Sequence, residues 1–84
     1  MQPKQPIVTI YSTATCHYCK DAKAFLNEMD VPFTEYNVGT DHEKRAEMVE
    51  KSGGRMVPVI TVDDKVFVGF DKFKEAVDSG LRIR

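Results

Sequence analysis

Cys16 and Cys19, the only cysteines of the chain, lie in the segment Thr15-Cys16-His17-Tyr18-Cys19-Lys20. They follow an apolar, β-branched run and stand where a helical pattern begins. A sulfur at a helix start sits among unpaired backbone N–H groups at the positive end of the helix dipole. Such a place favours the thiolate, the form of cysteine that attacks disulfides. Help is needed, because a free thiol with a pKa of about 8.5 is mostly protonated at neutral pH. Lys20 is the nearest cation in sequence. Cys19, one turn on, shares a helix face with Cys16 and is within reach to close a disulfide with it. The residue types and their spacing point to thiol–disulfide exchange, with Cys16 as nucleophile and Cys19 as the resolving thiol. Cys19 also starts an apolar stripe, so it is expected to be the less exposed of the two. His17 either lends positive charge to Cys16 below about pH 6.5 or is a solvated first-turn residue. Tyr18 either walls a substrate groove or is a surface aromatic.

A metal centre is a poorer use of these residues. Structural zinc takes four ligands, and beyond the cysteines the usual partners are His17, inside the Cys-x-x-Cys loop, and His42. His42 reads as a solvated residue of a capping segment, and no metal is expected. A length of 84 residues is one domain, and a formal net charge of −1 makes no electrostatic case for nucleic acid or an acidic membrane surface. A disulfide closing so small a loop does little to staple a secreted fold. The start, Met1 to Pro6, has no apolar run of the signal-peptide kind, and no window reaches the length of a membrane span. The expectation is a cytoplasmic protein, in a compartment where a cysteine pair is catalytic or metal-binding more often than structural.

The elements that must position the thiols follow from periodicity. Residues 1–6 read as a flexible arm and residues 7–84 as the domain. Ile7 to Tyr11 predicts a strand buried on both faces, and Thr15 is the expected cap of the first helix. Ala22, Phe25, Leu26 and Met29 recur at i, i+3, i+4 and i+7, a stripe made to pack on a sheet. Lys20, Lys23, Asn27 and Glu28 fall largely off it. Pro32 biases Val31 towards extended backbone and ends the helix. Phe33 to Val38 alternates as a half-buried strand does. Thr40 and Glu43 have capping-box spacing, opening a helix that runs to about Ser52 with Ala46 and Val49 on its dry side and stops at Gly53-Gly54. Val59 to Val62, a polar turn at Asp63-Asp64-Lys65 and Val66 to Val68 predict a hairpin. Asp71 is the expected cap of a last helix marked by Phe73, Ala76, Val77 and Leu81. The order is β-α-β-α-β-β-α, with the first two strands parallel by the crossover rule and the hairpin antiparallel.

This order, with Cys-x-x-Cys at the tip of the first βα unit, resembles the thioredoxin superfamily, and glutaredoxins most closely. The resemblance spans roughly Ile7 to Leu81. Tyr11 to Cys19 is similar to the glutaredoxin active-site segment, although the residue after the first cysteine is commonly proline and here is His17. Met56-Val57-Pro58 is similar to the family's Thr-Val-Pro, whose proline is cis; the residues alone leave open an ordinary trans Pro58. Gly69-Phe70-Asp71 stands where glutaredoxins carry Gly-Gly-x-Asp-Asp.

The resemblance implies a thioredoxin-like α/β fold, a four-stranded mixed sheet with three helices. It implies a monomeric dithiol oxidoreductase acting on disulfide-containing proteins, and possible action on glutathione mixed disulfides too. No tightly bound cofactor is implied; glutathione is a possible co-substrate, and the electron donor is either glutathione or thioredoxin reductase. Pro58 would lie against the disulfide, the Val57 backbone would pair with the peptide-like part of glutathione, and Arg55 would reach a carboxylate. Asp71 would serve as a helix cap first and a ligand contact second. Phe70 would either meet a partner protein or pack in the core. Three departures bear on glutathione: Thr13 replaces a usual lysine or arginine, Val68 the first glycine, and Lys72 the second aspartate, which commonly meets the γ-glutamyl amino group. An alternative carried by the same resemblance is a glutaredoxin that holds an iron–sulfur cluster between two subunits, with glutathione completing the coordination.

Overall fold

The computed structural model describes residues 6–83, so the expected arm lies almost wholly outside the described residues, as does Arg84. The elements run β1 (Val8–Ser12), α1 (His17–Glu28), β2 (Thr34–Asn37), α2 (His42–Ser52), β3 (Val59–Val62), β4 (Lys65–Val68) and α3 (Phe70–Asp78). This is the predicted order of four strands and three helices, in one sheet ordered β2-β1-β3-β4. β1 and β2 are parallel, Ser12 opposite Asn37, while β3 is antiparallel to both β1 and β4.

The two central strands carry the most apolar runs. All four residues of β3 are buried, as are four of the five in β1. The pleat sends alternate side chains to opposite faces. Val8, Ile10, Ile60 and Val62 meet Ala22 and Leu26 of α1 and Phe73 of α3 on one face. Tyr11 and Val59 meet Met48 of α2 on the other. A sheet covered on both faces by helices is the thioredoxin-like α/β arrangement.

Local details differ from the sequence reading, each for a physical reason. Cys16, not Thr15, caps α1, because its own sulfur accepts the Cys19 N–H. Asp41, not Thr40, caps α2: its carboxylate accepts the Lys44 N–H, whereas the Thr40 hydroxyl turns back to the Asn37 carbonyl. The dry side of α2 centres on Met48, with Val49 half-buried and Ala46 exposed. Lys65 belongs to β4, which shortens the hairpin turn to Asp63-Asp64. Gly69, not Asp71, starts α3; it has φ 96° and no side-chain cap, a conformation a side chain would strain. Leu81 lies beyond α3, yet its N–H bonds to the Ala76 carbonyl and its side chain packs on the core.

Candidate active site

β1 ends beneath the segment 13–16, and α1 starts from it. The Cys16 backbone N–H bonds to the Thr13 carbonyl, and Cys16 then caps the helix. The Cys19 N–H points at Cys16 Sγ from 3.2 Å. That dipole faces the sulfur which must carry negative charge when it attacks. Both cysteines are free thiols, Cys16 partly exposed and Cys19 wholly buried at 0%. Burial pushes the Cys19 thiol up to about 12, and its hydrogen bond to Cys16 pushes the same way, while a backbone hydrogen bond from Thr13 and the charge of Lys23 oppose them. The pair is therefore asymmetric: one sulfur meets solvent, and the other is kept as a neutral thiol beneath it.

Beside the thiols runs a groove of about 350 Å³ lined by Tyr18, Met56, Val57, Pro58, Val68, Gly69, Phe70, Asp71 and Lys72. Its walls come from the start of α1, the loop before β3, the end of β4 and the start of α3. The Val57–Pro58 peptide is cis, and the Pro58 carbonyl takes the Gly69 N–H at 2.8 Å, which ties the loop before β3 to the start of α3. Among the described residues no protein group pairs with the Val57 backbone. Tyr18 and Met56 are 59% and 67% exposed, large apolar groups held out over the groove. Phe70 lines it too, but its ring stands edge-on to Phe25 at 5.7 Å and packs on the core.

The fold thus brings Tyr18, Val57, Pro58 and Asp71 together. His17 is exposed on the first turn of α1 and does not line the groove. Arg55 is exposed in a separate cleft against α2, with His42, Arg45 and Glu50. Lys72 lines the groove, as its departure from the family pattern implied, and Met56 is the lining side chain to which sequence reasoning gave no role. A second cleft, on the other side of the segment 13–16, is polar and lined by Ser12, Thr13, Ala14, Lys20, Lys23, Glu35 and Asn37. Thr13 therefore faces this cleft and not the groove. Among the described residues no group of three or more His, Cys, Asp or Glu side chains could hold a metal ion, and no helix is long and apolar enough to cross a membrane.

Comparison with known proteins agrees with this geometry. The Glutaredoxin family model matches residues 8–67. The glutaredoxin-like protein NrdH of Lactococcus lactis is 42% identical over 67 residues, 76% of this chain and 88% of that one. Glutaredoxin 3 of Escherichia coli is 41% identical over 64 residues, covering 76% of this chain and 77% of that one. The solution structure of glutaredoxin from Brucella melitensis superposes with a TM-score of 0.74 at 34% identity, over 94% of this chain and 87% of that one. With a partly exposed thiol capping α1, a buried thiol one turn behind it and a family match across most of its length, the chain belongs to the glutaredoxin family of thiol–disulfide oxidoreductases.

Proposed function

We propose that the protein is a dithiol reductase of protein disulfides, working through Cys16 and Cys19 as a monomer in the cytoplasm. The observation that carries this reading is the asymmetry of the thiols, one capping a helix at the surface and one wholly buried. Cys16 thiolate attacks a substrate disulfide, whose S–S bond breaks to release one substrate thiolate. Cys19 then gives up its proton and attacks Cys16 Sγ. The second substrate thiolate leaves, and two electrons have passed from the chain to the substrate. The released substrate sulfurs take up protons from water.

The groove supports an extended polypeptide as the substrate. The unpaired Val57 backbone offers strand-like pairing, and Tyr18 and Met56 offer apolar contact on either side. Lys72 repels the ammonium group of a γ-glutamyl moiety, so the groove favours a protein donor of the thioredoxin reductase class over glutathione, with Asp71 left as the acidic contact. Arg55, in its separate cleft, is left without a role in this reading. An iron–sulfur cluster wants four thiolates; shared between two subunits it would take the part-exposed Cys16 of each and two glutathione thiolates, and the Lys72 charge that disfavours glutathione disfavours that arrangement too.

The test is steady-state reduction of a protein disulfide with two donors side by side, NADPH with thioredoxin reductase, and NADPH with glutathione reductase and glutathione. Faster turnover with thioredoxin reductase is expected. Cys16→Ser should abolish turnover with either donor, and Cys19→Ser should accumulate a mixed disulfide visible by mass spectrometry. Retained dithiol turnover in Cys16→Ser would refute the assigned roles.

A further inference from the structure

Cys19 has to lose a proton although it is wholly buried, and a cation on its own helix bears on how. Lys23 follows Cys19 by four residues, so the two share one face of α1. Its ammonium is paired: Nζ sits 2.8 Å from Glu35 Oε2 of β2. That same carboxylate oxygen accepts the Ser12 hydroxyl at 2.6 Å, and Ser12 is 2% exposed. A buried hydroxyl on β1 thus holds a carboxylate on β2, and the carboxylate holds a cation on α1 one turn beyond the resolving thiol. The arrangement needs the parallel β1–β2 register, which sets Ser12 and Glu35 on neighbouring strands.

Resting on the dithiol reading above, we propose that Lys23, moored by Glu35 and Ser12, is a positioning residue for the resolving step: its ammonium balances the negative charge of Cys19 as that sulfur attacks the Cys16 mixed disulfide. The groups that act on the thiol are few. Cys16 and Lys23 lie on its own helix, a backbone hydrogen bond comes from Thr13, and Glu35 and Ser12 act only through Lys23. Burial holds the thiol protonated, and Cys16 adds to this while both cysteines are reduced. Once Cys16 is tied up in a mixed disulfide its share of that brake is gone while burial remains, and Lys23 is the side chain that opposes it.

Stopped-flow reaction with excess dipyridyl disulfide separates the steps, and the reagent is uncharged, so a lost lysine does not alter encounter. The first pyridinethione released reports attack by Cys16, and the second reports closure of the Cys16–Cys19 bond. Removing an opposite charge beside a thiol cuts its thiolate fraction by roughly tenfold. The more basic thiolate regains about the square root of that as nucleophilicity, so Lys23→Gln should slow the second phase about threefold and leave the first unchanged. Lys23→Arg should restore it, Glu35→Gln should slow it in the same direction, and Lys44→Gln, which breaks an ion pair on α2, should change neither phase. A second phase in Lys23→Gln equal to wild type, both phases slowed alike, or Lys23→Arg as slow as Lys23→Gln would overturn the proposal. A wild-type protein releasing one thione and no second would instead overturn the dithiol reading beneath it.

Discussion

Replacing Lys72 by aspartate should make the groove a better place for glutathione. Lys72 is exposed at the start of α3 and lines the groove beside Asp71. A γ-glutamyl ammonium held at this end of the groove faces a like charge in the native chain and an opposite charge in Lys72→Asp. At about 5 Å in a water-rich setting each unit-charge interaction is worth somewhat under 1 kcal/mol. Reversing the sign roughly doubles that, and the entropy of holding an exposed side chain takes part of it back. A net gain of about 1 to 1.4 kcal/mol corresponds to a five- to tenfold rise in kcat/KM. The assay is reduction of a glutathionylated protein coupled to glutathione reductase, run beside dithiothreitol-driven reduction of an uncharged disulfide. The first rate should rise and the second should not, and the gain should shrink as salt is raised through the range where the Debye length falls below the charge separation. An unchanged rate on the glutathionylated substrate, or an equal rise on both substrates, would refute the electrostatic account of the groove.

Other consequences follow from burial and charge. Leu26 is wholly buried between α1 and the sheet, so Leu26→Ala should cost about 3 kcal/mol and lower the Tm by at least about 12 °C in a thermal melt; a fall under about 4 °C would mean that the site collapses around the truncation. At neutral pH iodoacetamide should label Cys16 and spare Cys19, which stays a neutral thiol until the pH nears about 12, and peptide mapping would expose any contrary pattern; denaturant should make both reactive. The Lys23 and Ser12 hydrogen bonds hold the Glu35 carboxyl below its usual range. A depressed carboxyl contributes stability above its unfolded pKa of about 4.3, and this is lost as pH falls through the folded value. Urea melts between about pH 6 and pH 3 should therefore show a smaller acid loss in Glu35→Gln than in the native chain, and parallel curves would dismiss the linkage.

How much of this was legible in the sequence depends on the range of the interaction. The stripe Ala22, Phe25, Leu26 and Met29 predicts the packing face of α1 because a helix repeats its own geometry, and β1 and β3 announce themselves by β-branched runs with little polarity. Caps are harder. Thr40 and Asp41 are both good caps and adjacent, and only the hydrogen bonds of the folded loop choose between them. Cys16 is a weaker cap than Thr15 by residue type, yet it takes the position because its sulfur lies nearer the open N–H of Cys19. The tie between Lys23, Glu35 and Ser12 joins three elements. Lys23 in isolation reads as a solvated residue off the stripe, and the parallel register had to be known before Glu35 could be set beside Ser12.

The segment 13–16 and the cysteines it presents divide the site into two halves of opposite character. On one side Tyr18, Met56 and Phe70 give an apolar groove beside an unpaired backbone, which suits a polypeptide carrying a disulfide. On the other side Lys20, Lys23 and Glu35 give a polar cleft, and Lys23 there carries the charge proposed to favour the Cys19 thiolate. Reduction by a dithiol needs both, at different moments: a substrate must sit against Cys16, and a proton must then leave Cys19. An (i, i+3) pair at a helix start serves this because the helix turns the second sulfur inward while its backbone N–H still reaches the first. The two demands can therefore be altered separately. Changes at Lys72 or Tyr18 should act on which substrates are attacked, and changes at Lys23 or Glu35 on how fast an attacked substrate is released.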